Sequence, residues 1–575
     1  MFIFERTIGK RAYRIAAENV WDPVKQRSFG RQAILGAAGK PPNIDLSKAE
    51  VVGTRSVGDV GALVWAAREL DVVRIVDEAC ELPGSIGAPS LGELALAVAL
   101  QRACDPGGKC DLPDFLANAL PKHSCLPPSA FSGQAYHRLA RKVTDEMLER
   151  AQLALARKAV ERFELSADVL AFDTTNFDTF IATTTDSKLA RRGHAKSKRA
   201  DLRVVGLAVL ASETGHVPLL YRTYPGNGAD QGVLTDCLAG LRKLHELLGQ
   251  AEQRPKAQRT LVRDGGSWGE QLELDLTTTG FHTLISLPLG HSAAEAALEY
   301  AAGRGRMKAL GGRLTGTRAC RTSSEVGDKL FRTLVVVESE NLLRGQKRGI
   351  TAALRKAKAE LRKLEVGLNK QRSAKTGRRG RYSVESVQAR VDRVLAREHL
   401  ADFVVAEVGG TDEAPTLKYT VDDQKRRELE RTRLGRRVLC TNHHSWSTQR
   451  IISAFRGQWN VEELFRRAKK GGVAPWGPSY QRLDSSLRLH TFSTVLGLTL
   501  VSIAKLALGF EGSAREMMEQ LSDVRATVVT EATGAPGRRP AYTIPPTLNK
   551  LQSQSVDVFE LDSWLPSLQS SRHGR

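Results

Sequence analysis

At 575 residues the chain is long enough for about three or four compact units. With 41% hydrophobic and 26% charged residues, wholesale disorder and a disulfide-stapled miniprotein are both excluded. Lys and Arg number 85 against 64 Asp and Glu, a formal net charge of +21, which points to a polyanionic partner, either nucleic acid or an acidic membrane surface.

In chain order, residues 1–50 read as a β-rich N-terminal arm closed by Gly39-Lys-Pro-Pro-Asn43. The opening Met1-Phe-Ile-Phe-Glu-Arg lacks the long apolar core of a signal peptide. Residues 51–165 are helical by pattern: Ala62, Leu63, Ala66 and Leu70 recur at helical spacing, as do Met147, Ala151, Leu155 and Val160. Asp105-Pro-Gly-Gly108 separates two of these helices. Cys104, Cys110, His123 and Cys125 cluster loosely, in a spacing that fits zinc poorly. The seven cysteines include no Cys-x-x-Cys, so a reduced, cytoplasmic location is expected.

Residues 166–299 switch to short apolar runs. Val169–Asp173, Val204–Leu210 and Val217–Tyr221 read as strands. A helix through Leu238, Leu241, Leu244 and Leu248 follows, then strands at Thr260–Arg263 and Phe281–Leu287. Strands followed by alternating helix and strand predict an α/β layer. Residues 300–435 read as an insertion containing a strand at Leu330–Val337. Its main feature is a heptad seam: Ile350, Leu354, Ala357, Leu361, Leu364 and Leu368, resumed at Val384, Val387, Val391 and Val394. The two arms predict an antiparallel helical hairpin, with Arg378, Arg379 and Arg381 at a basic tip suited to phosphate. Residues 436–511 hold a last strand, Arg437–Asn442, and one long helix capped at Ser445 or Ser447 and running to Lys469. The apolar stretch Thr491–Leu508 carries Lys505 and several hydroxyls and reads as a buried core helix. Residues 512–575 form a weakly patterned tail, and there is no internal repeat.

Two predicted strands end in carboxylates, Asp173 and Asp264, and a third acid, Glu462, lies on the late helix. That helix carries Phe455, Trp459 and Phe465 at helical spacing, so Glu462 is expected on a face pressed against the sheet. Burying a lone carboxylate is costly. Three converging carboxylates instead suit Mg²⁺ or Mn²⁺, and two such ions promote phosphodiester chemistry. Trp446 and Trp459 are candidates for stacking on an unpaired base, Trp459 more readily read as core. No Gly-x4-Gly-Lys-Ser/Thr loop argues for a nucleotide hydrolase.

With the segment Phe455-Arg-Gly-Gln458-Trp459-Asn-Val-Glu462-Glu-Leu-Phe465-Arg-Arg-Ala-Lys469, the chain resembles the DDE transposases of bacterial insertion sequences. The branch in question carries a Tyr-x2-Arg-x3-Glu-x6-Lys signature. The spacing matches throughout, and Glu462 and Lys469 match in identity. Arg191-Arg-Gly-His-Ala-Lys-Ser-Lys198, Gly226-Asn227 with Asp230, and Thr441-Asn442 also fit. The resemblance implies a ribonuclease-H-like catalytic core, an insertion before the last acidic helix and a mainly helical, DNA-binding N-terminal region. It implies Asp173, Asp264 and Glu462 as catalytic metal ligands for Mg²⁺ or Mn²⁺, two ions in all. It further implies cleavage at the element's ends, joining of the 3′ hydroxyl to target DNA, and a homodimer bridging two ends. Phe455 and Gln458 replace the signature's Tyr and Arg, whose role is contact with end DNA; Arg456 is an adjacent source of charge, and Lys469 a second phosphate contact. A metal-dependent nuclease on the same fold and a non-catalytic DNA-binding relative are the competing readings.

Overall fold

The computed structural model describes residues 2–8, 11–22, 27–37, 49–119, 122–254, 258–303, 306–327, 330–373, 382–531, 541–544 and 547–563. They make an α/β protein with two compact units, fewer than length alone suggests. The first combines Met1–Leu261 with Gly457–Arg575, and the second is Val262–Arg456.

The first unit opens with β1 (Phe2–Ile8), β2 (Arg11–Asp22) and β3 (Arg27–Ala37), an antiparallel meander. After β4 (Ala49–Ser56) come α1 (Gly58–Glu69), α2 (Val72–Cys80), α3 (Leu91–Cys104), α4 (Leu112–Asn118), α5 (Gly133–Ala140) and α6 (Asp145–Phe163). A capping box starts α3: Ser90 Oγ accepts from Glu93 N at 3.1 Å, and Glu93 Oε2 accepts from Ser90 N at 3.0 Å. A side chain at Gly92 would collide with the Val73 carbonyl of α2, so only glycine lets these helices approach so closely. Gly92→Ala is expected to cost about 1–3 kcal/mol, read as a lower Tm.

Next are β5 (Val169–Thr179), β6 (Arg203–Ser212) and β7 (Pro218–Pro225), paired antiparallel in that order. The almost uninterrupted apolar run of β6 is buried from Val204 to Ser212, as a strand covered on both faces requires. After α7 (Asp230–Ala251), β8 (Arg259–Arg263) returns beside the start of β5, with Thr260 N donating to Asp168 O at 2.8 Å.

The second unit contains α8 (Glu270–Thr278), β9 (Phe281–Leu287), α9 (Ser292–Ala302), β10 (Lys308–Ala309), β11 (Thr317–Val326) and β12 (Leu330–Ser339). These are followed by α10 (Glu340–Ser373), α11 (Val384–Leu395), α12 (Leu400–Phe403), β13 (Val404–Thr411), β14 (Ala414–Val421), α13 (Asp423–Thr432), β15 (Arg436–Thr441) and α14 (Thr448–Arg456). Its strands run β10-β11-β12-β15-β9, each pair antiparallel. Because β15 pairs with β9 on one side and β12 on the other, it shares a unit with the inserted strands. The seam residues Ile350, Leu354, Ala357, Leu361, Leu364 and Leu368 of α10 and Val387, Val391 and Val394 of α11 are buried in one cluster. That cluster also takes in Val404 and Leu417 of the β13–β14 hairpin, which periodicity alone does not announce. The basic tip with Arg378, Arg379 and Arg381 lies outside the described residues.

The chain then re-enters the first unit with α15 (Trp459–Ala468), α16 (Asp484–Ala507), α17 (Ala514–Ser522), β16 (Arg525–Glu531), β17 (Ala541–Ile544) and α18 (Lys550–Val558). Residues 512–575 are thus no separate tail: β16 pairs antiparallel with β4, and α17 packs on α1. By length and composition α16 could cross a membrane, but 89% of its apolar window is buried in the protein. Four of its hydroxyls are satisfied within the helix, and Ser502 donates to His216 O at 3.0 Å. Thr491, Ser493, Thr494 and Thr499 each donate to the carbonyl four residues earlier, at 2.9–3.0 Å, which lets polar residues sit in a buried helix.

Candidate active site

In the first unit, Asp173 lies mid-strand on β5, opposite Val209 of β6. It is half-buried, and its Oδ1 accepts from Thr174 N at 2.7 Å. Strand alternation puts Asp173, Thr175 and Phe177 on one face of the sheet. Phe177 stacks on Trp476 with ring centroids 5.0 Å apart, and Trp476 N donates to Ala468 O at the end of α15. At the other end of α15, Asn460 Nδ2 donates to Glu213 O at 3.2 Å, just past β6, and Trp459 meets His216 edge-on. Helix α15 therefore runs alongside β5 in the same sense. Its first turn, which carries Glu462, lies level with the part of the strand that carries Asp173.

The expected single helix is two helices, α14 and α15, broken at Gly457-Gln458. Three expectations change with it. Glu462 is exposed, beside a buried stripe of Val461, Leu464, Phe465 and Ala468, so it is not pressed against the sheet and carries no burial cost. Trp459 is 53% exposed and not core; the Arg466 guanidinium sits 5.7 Å over its ring. Lys469 is exposed but stands past the last helical turn in extended backbone, ψ 167°, so helical repeat no longer aligns it with Glu462. The neighbouring acid is the engaged one: Glu463 holds Arg466 at 2.9 Å and the buried Arg467 at 3.3 Å. Sequence alone offered no signal for that, since two adjacent glutamates differ only in which face they occupy.

The proposed DNA contacts at the two departures from the signature meet buried side chains. Gln458 is 8% exposed and forms the N-cap of α15. In the second unit Phe455 is 7% exposed, with the Arg437 guanidinium 5.9 Å over its ring. The Arg456 guanidinium donates to Arg313 O at 3.1 Å and Thr317 Oγ1 at 2.8 Å. It is exposed but already committed to its own unit, which weakens it as a stand-in for the missing arginine.

Charge does gather beside Asp173. Lys196 Nζ donates to Thr174 O, Lys196 N to Asn176 Oδ1 at 2.9 Å, and Asn176 Nδ2 to His194 O at 2.8 Å. These bonds fix the basic 188–199 loop, with exposed Arg191, Arg192, Lys198 and Arg199, along β5. Asp178, also on β5, accepts from Ser197 Oγ at 2.8 Å and so anchors the same loop.

In the second unit Asp264 is exposed and caps a short 3₁₀ turn, accepting from Gly265 N at 2.8 Å. The preceding Arg263 is fully buried and paired with buried Glu273, which also accepts from Thr283 Oγ1 at 2.6 Å and lies 3.6 Å from Arg332. At the start of β9, His282, His443 and Trp446 stack at 3.8 and 3.7 Å, with Arg450 5.0 Å over the indole. Burial first, then His282, Arg450 and His444, holds His443 down to about 4. Trp446 is half-buried within the stack.

Carboxylates without sulfur or imidazole are the right donors for a hard cation. Among the described residues, however, no group of three or more His, Cys, Asp or Glu could hold a metal ion. Asp173 and Glu462 lie in the first unit and Asp264 in the second; Cys104, Cys110, His123 and Cys125 form no such group either.

No protein-family model matches the chain, and no curated protein matches it. Among solved structures, a cryo-EM structure of the piggyBac transposase synaptic complex with hairpin DNA aligns with a TM-score of 0.36 and 8% identity. The alignment covers 81% of this chain and 78% of that one; a likeness that slight carries no argument about fold or activity.

Proposed function

We propose that the protein is a DDE-type transposase that binds the ends of a mobile element, cleaves the DNA and joins the 3′ hydroxyls to target DNA. The observation that carries this reading is the placement of Glu462, in its signature spacing, in the first turn of a helix running along the strand and face of Asp173. Asp173 and Glu462 would contribute carboxylates to one or two Mg²⁺ or Mn²⁺ ions; Asp264 is carried as a third ligand by the sequence resemblance alone. Such ions supply Lewis-acid activation of a phosphodiester and of its attacking water or hydroxyl. The protein's own contribution is charge and position. The basic loop fixed beside Asp173 and the basic content of the α10–α11 hairpin attract the DNA backbone, and a homodimer would bring two ends together.

The test is incubation of the full chain with Mg²⁺ and a plasmid carrying the coding frame with its flanking DNA. Cleavage at flanking inverted repeats, followed by joined products, supports transposition. Cleavage without joining favours the nuclease, and DNA binding without either favours a non-catalytic relative. Replacing Arg378, Arg379 and Arg381 together by Gln should flatten the log–log salt dependence of duplex binding by up to about 2.7 units, at about 0.9 per phosphate contact. An unchanged slope would make the tip a spacer.

A further inference from the structure

Within the first unit, away from Asp173 and Glu462, a cleft of about 610 Å³ opens between α3, α5, α16 and the loop before α16. Its volume falls in the range of small-ligand sites, roughly 300–1,000 Å³. Arg102, Lys109, His137, Arg141, Arg482 and His490 line it, and no carboxylate is among its lining residues. Arg102 is buried and held by backbone carbonyls alone: Pro475 O at 2.8 Å, Gly477 O at 2.9 Å and Gly107 O at 3.2 Å. Burial, reinforced by Arg102, holds the Lys109 amine down to about 7. A cluster of cations without a counter-ion is expensive to assemble and is the usual mark of an anion's place.

Two further features specify the anion. His490 is buried and bonds through Nε2 to the Trp476 carbonyl at 2.7 Å. That bond makes Nε2 the donor, so Nδ1 is an acceptor, and it is buried with no hydrogen-bond partner. A bare anion leaves it unmet, whereas a nucleotide brings N–H groups together with its phosphate. At the rim, Tyr480 is 65% exposed and meets Phe180, 45% exposed, with ring centroids 5.8 Å apart. The pair is held in place by Phe180 N donating to Ser479 O at 2.9 Å. Two large exposed rings beside a cationic cleft form a stacking platform with an adjoining phosphate site.

We propose that this cleft binds an unpaired DNA nucleotide, its phosphate among Arg102, Lys109, Arg141 and Arg482 and its base or a neighbouring base on the Tyr480–Phe180 pair. The inference rests on the DNA-binding part of the proposed function and adds a single-strand site distinct from the carboxylates. It gives the protein a means of holding a strand end once the duplex is opened.

The experiment measures anisotropy of fluorescein-labelled dT12, and of a matched 12-base-pair duplex, on the full chain. Tyr480→Ala is expected to weaken dT12 binding about tenfold, the scale of one lost base stack, with duplex binding changed less than about twofold. Arg141→Gln with Arg482→Gln should lower the dT12 salt slope by about 1.4 units, at about 0.7 per single-strand phosphate. Both arginines and Tyr480 are exposed, so these changes spare the core. As a readout on the unaltered chain, dT12 should protect Lys109 from acylation, mapped by mass spectrometry. Equal losses on dT12 and duplex, no change in either variant, or inorganic phosphate protecting Lys109 as well as dT12 does at matched phosphate would each overturn the proposal. Binding of flanking duplex without dT12 binding removes the cleft and leaves the transposase reading standing; binding of neither removes both.

Discussion

Asp173→Asn is expected to lower metal-dependent DNA cleavage by about a thousandfold or more, the equivalent of roughly 4 kcal/mol of transition-state stabilisation. Duplex affinity should stay within about twofold, because phosphate contacts supply most of it. Asparagine keeps the size of the side chain and an acceptor for Thr174 N, the bond seen at 2.7 Å, so the strand should persist while the charge needed to hold a cation is lost. Glu462→Gln should behave in the same way, since exposed Glu462 has no evident packing role. A readout independent of turnover is the Mn²⁺-dependent rise in Tm, present in the parent and absent from both variants. Glu463→Gln supplies the contrast. It strips the partner from buried Arg467 and from Arg466, so it should lower Tm while cleavage persists at a permissive temperature. If Glu463→Gln removes cleavage and Glu462→Gln does not, the metal ligand is the neighbouring acid.

Glu273→Ala is expected to destabilise the second unit by about 3–5 kcal/mol, the usual result of leaving a buried charge unpaired. At roughly 2–4 °C per kcal/mol for a unit of this size, its Tm should fall by about 10 °C. Glu273 is fully buried and faces Arg263, Arg332 and the Thr283 hydroxyl together, so its removal orphans two guanidinium groups. The apolar double variant Arg263→Met with Glu273→Leu should be less damaging than Glu273→Ala, because it leaves one guanidinium without its carboxylate, that of Arg332, in place of two. A loss below about 1 kcal/mol in Glu273→Ala would mean that water already reaches the network. Arg263 directly precedes Asp264. The same variant is therefore expected to reduce cleavage through displacement of that carboxylate, an effect the conservative Glu273→Gln should partly relieve.

Local pattern carries far in this chain. The apolar runs that become β6, β8 and β9, the seam of α10 and α11, and the Ser447 cap of α14, which accepts from Arg450 N at 3.1 Å, are legible because each depends on neighbours a few residues away. The spacing around Glu462 is legible for the same reason. What sequence could not decide is which side chains face inward and which distant segments pair. The Gly457-Gln458 break turns one expected helix into two, and within the first unit Gln458 is buried while Trp459 and Glu462 are exposed. The pairing of β16 with β4 joins residues more than 460 positions apart, and the insertion of β15 between β9 and β12 joins segments about 100 and 150 apart. Such pairings depend on hydrogen-bonding edges left open after each local element has formed, and short strands carry no sequence mark of their partners. The cationic cleft is the extreme case. Arg102 and Lys109 lie about 380 positions from His490 and Arg482, each unremarkable alone. Only the packing of α16 against α3 and α5 brings these side chains around one cleft.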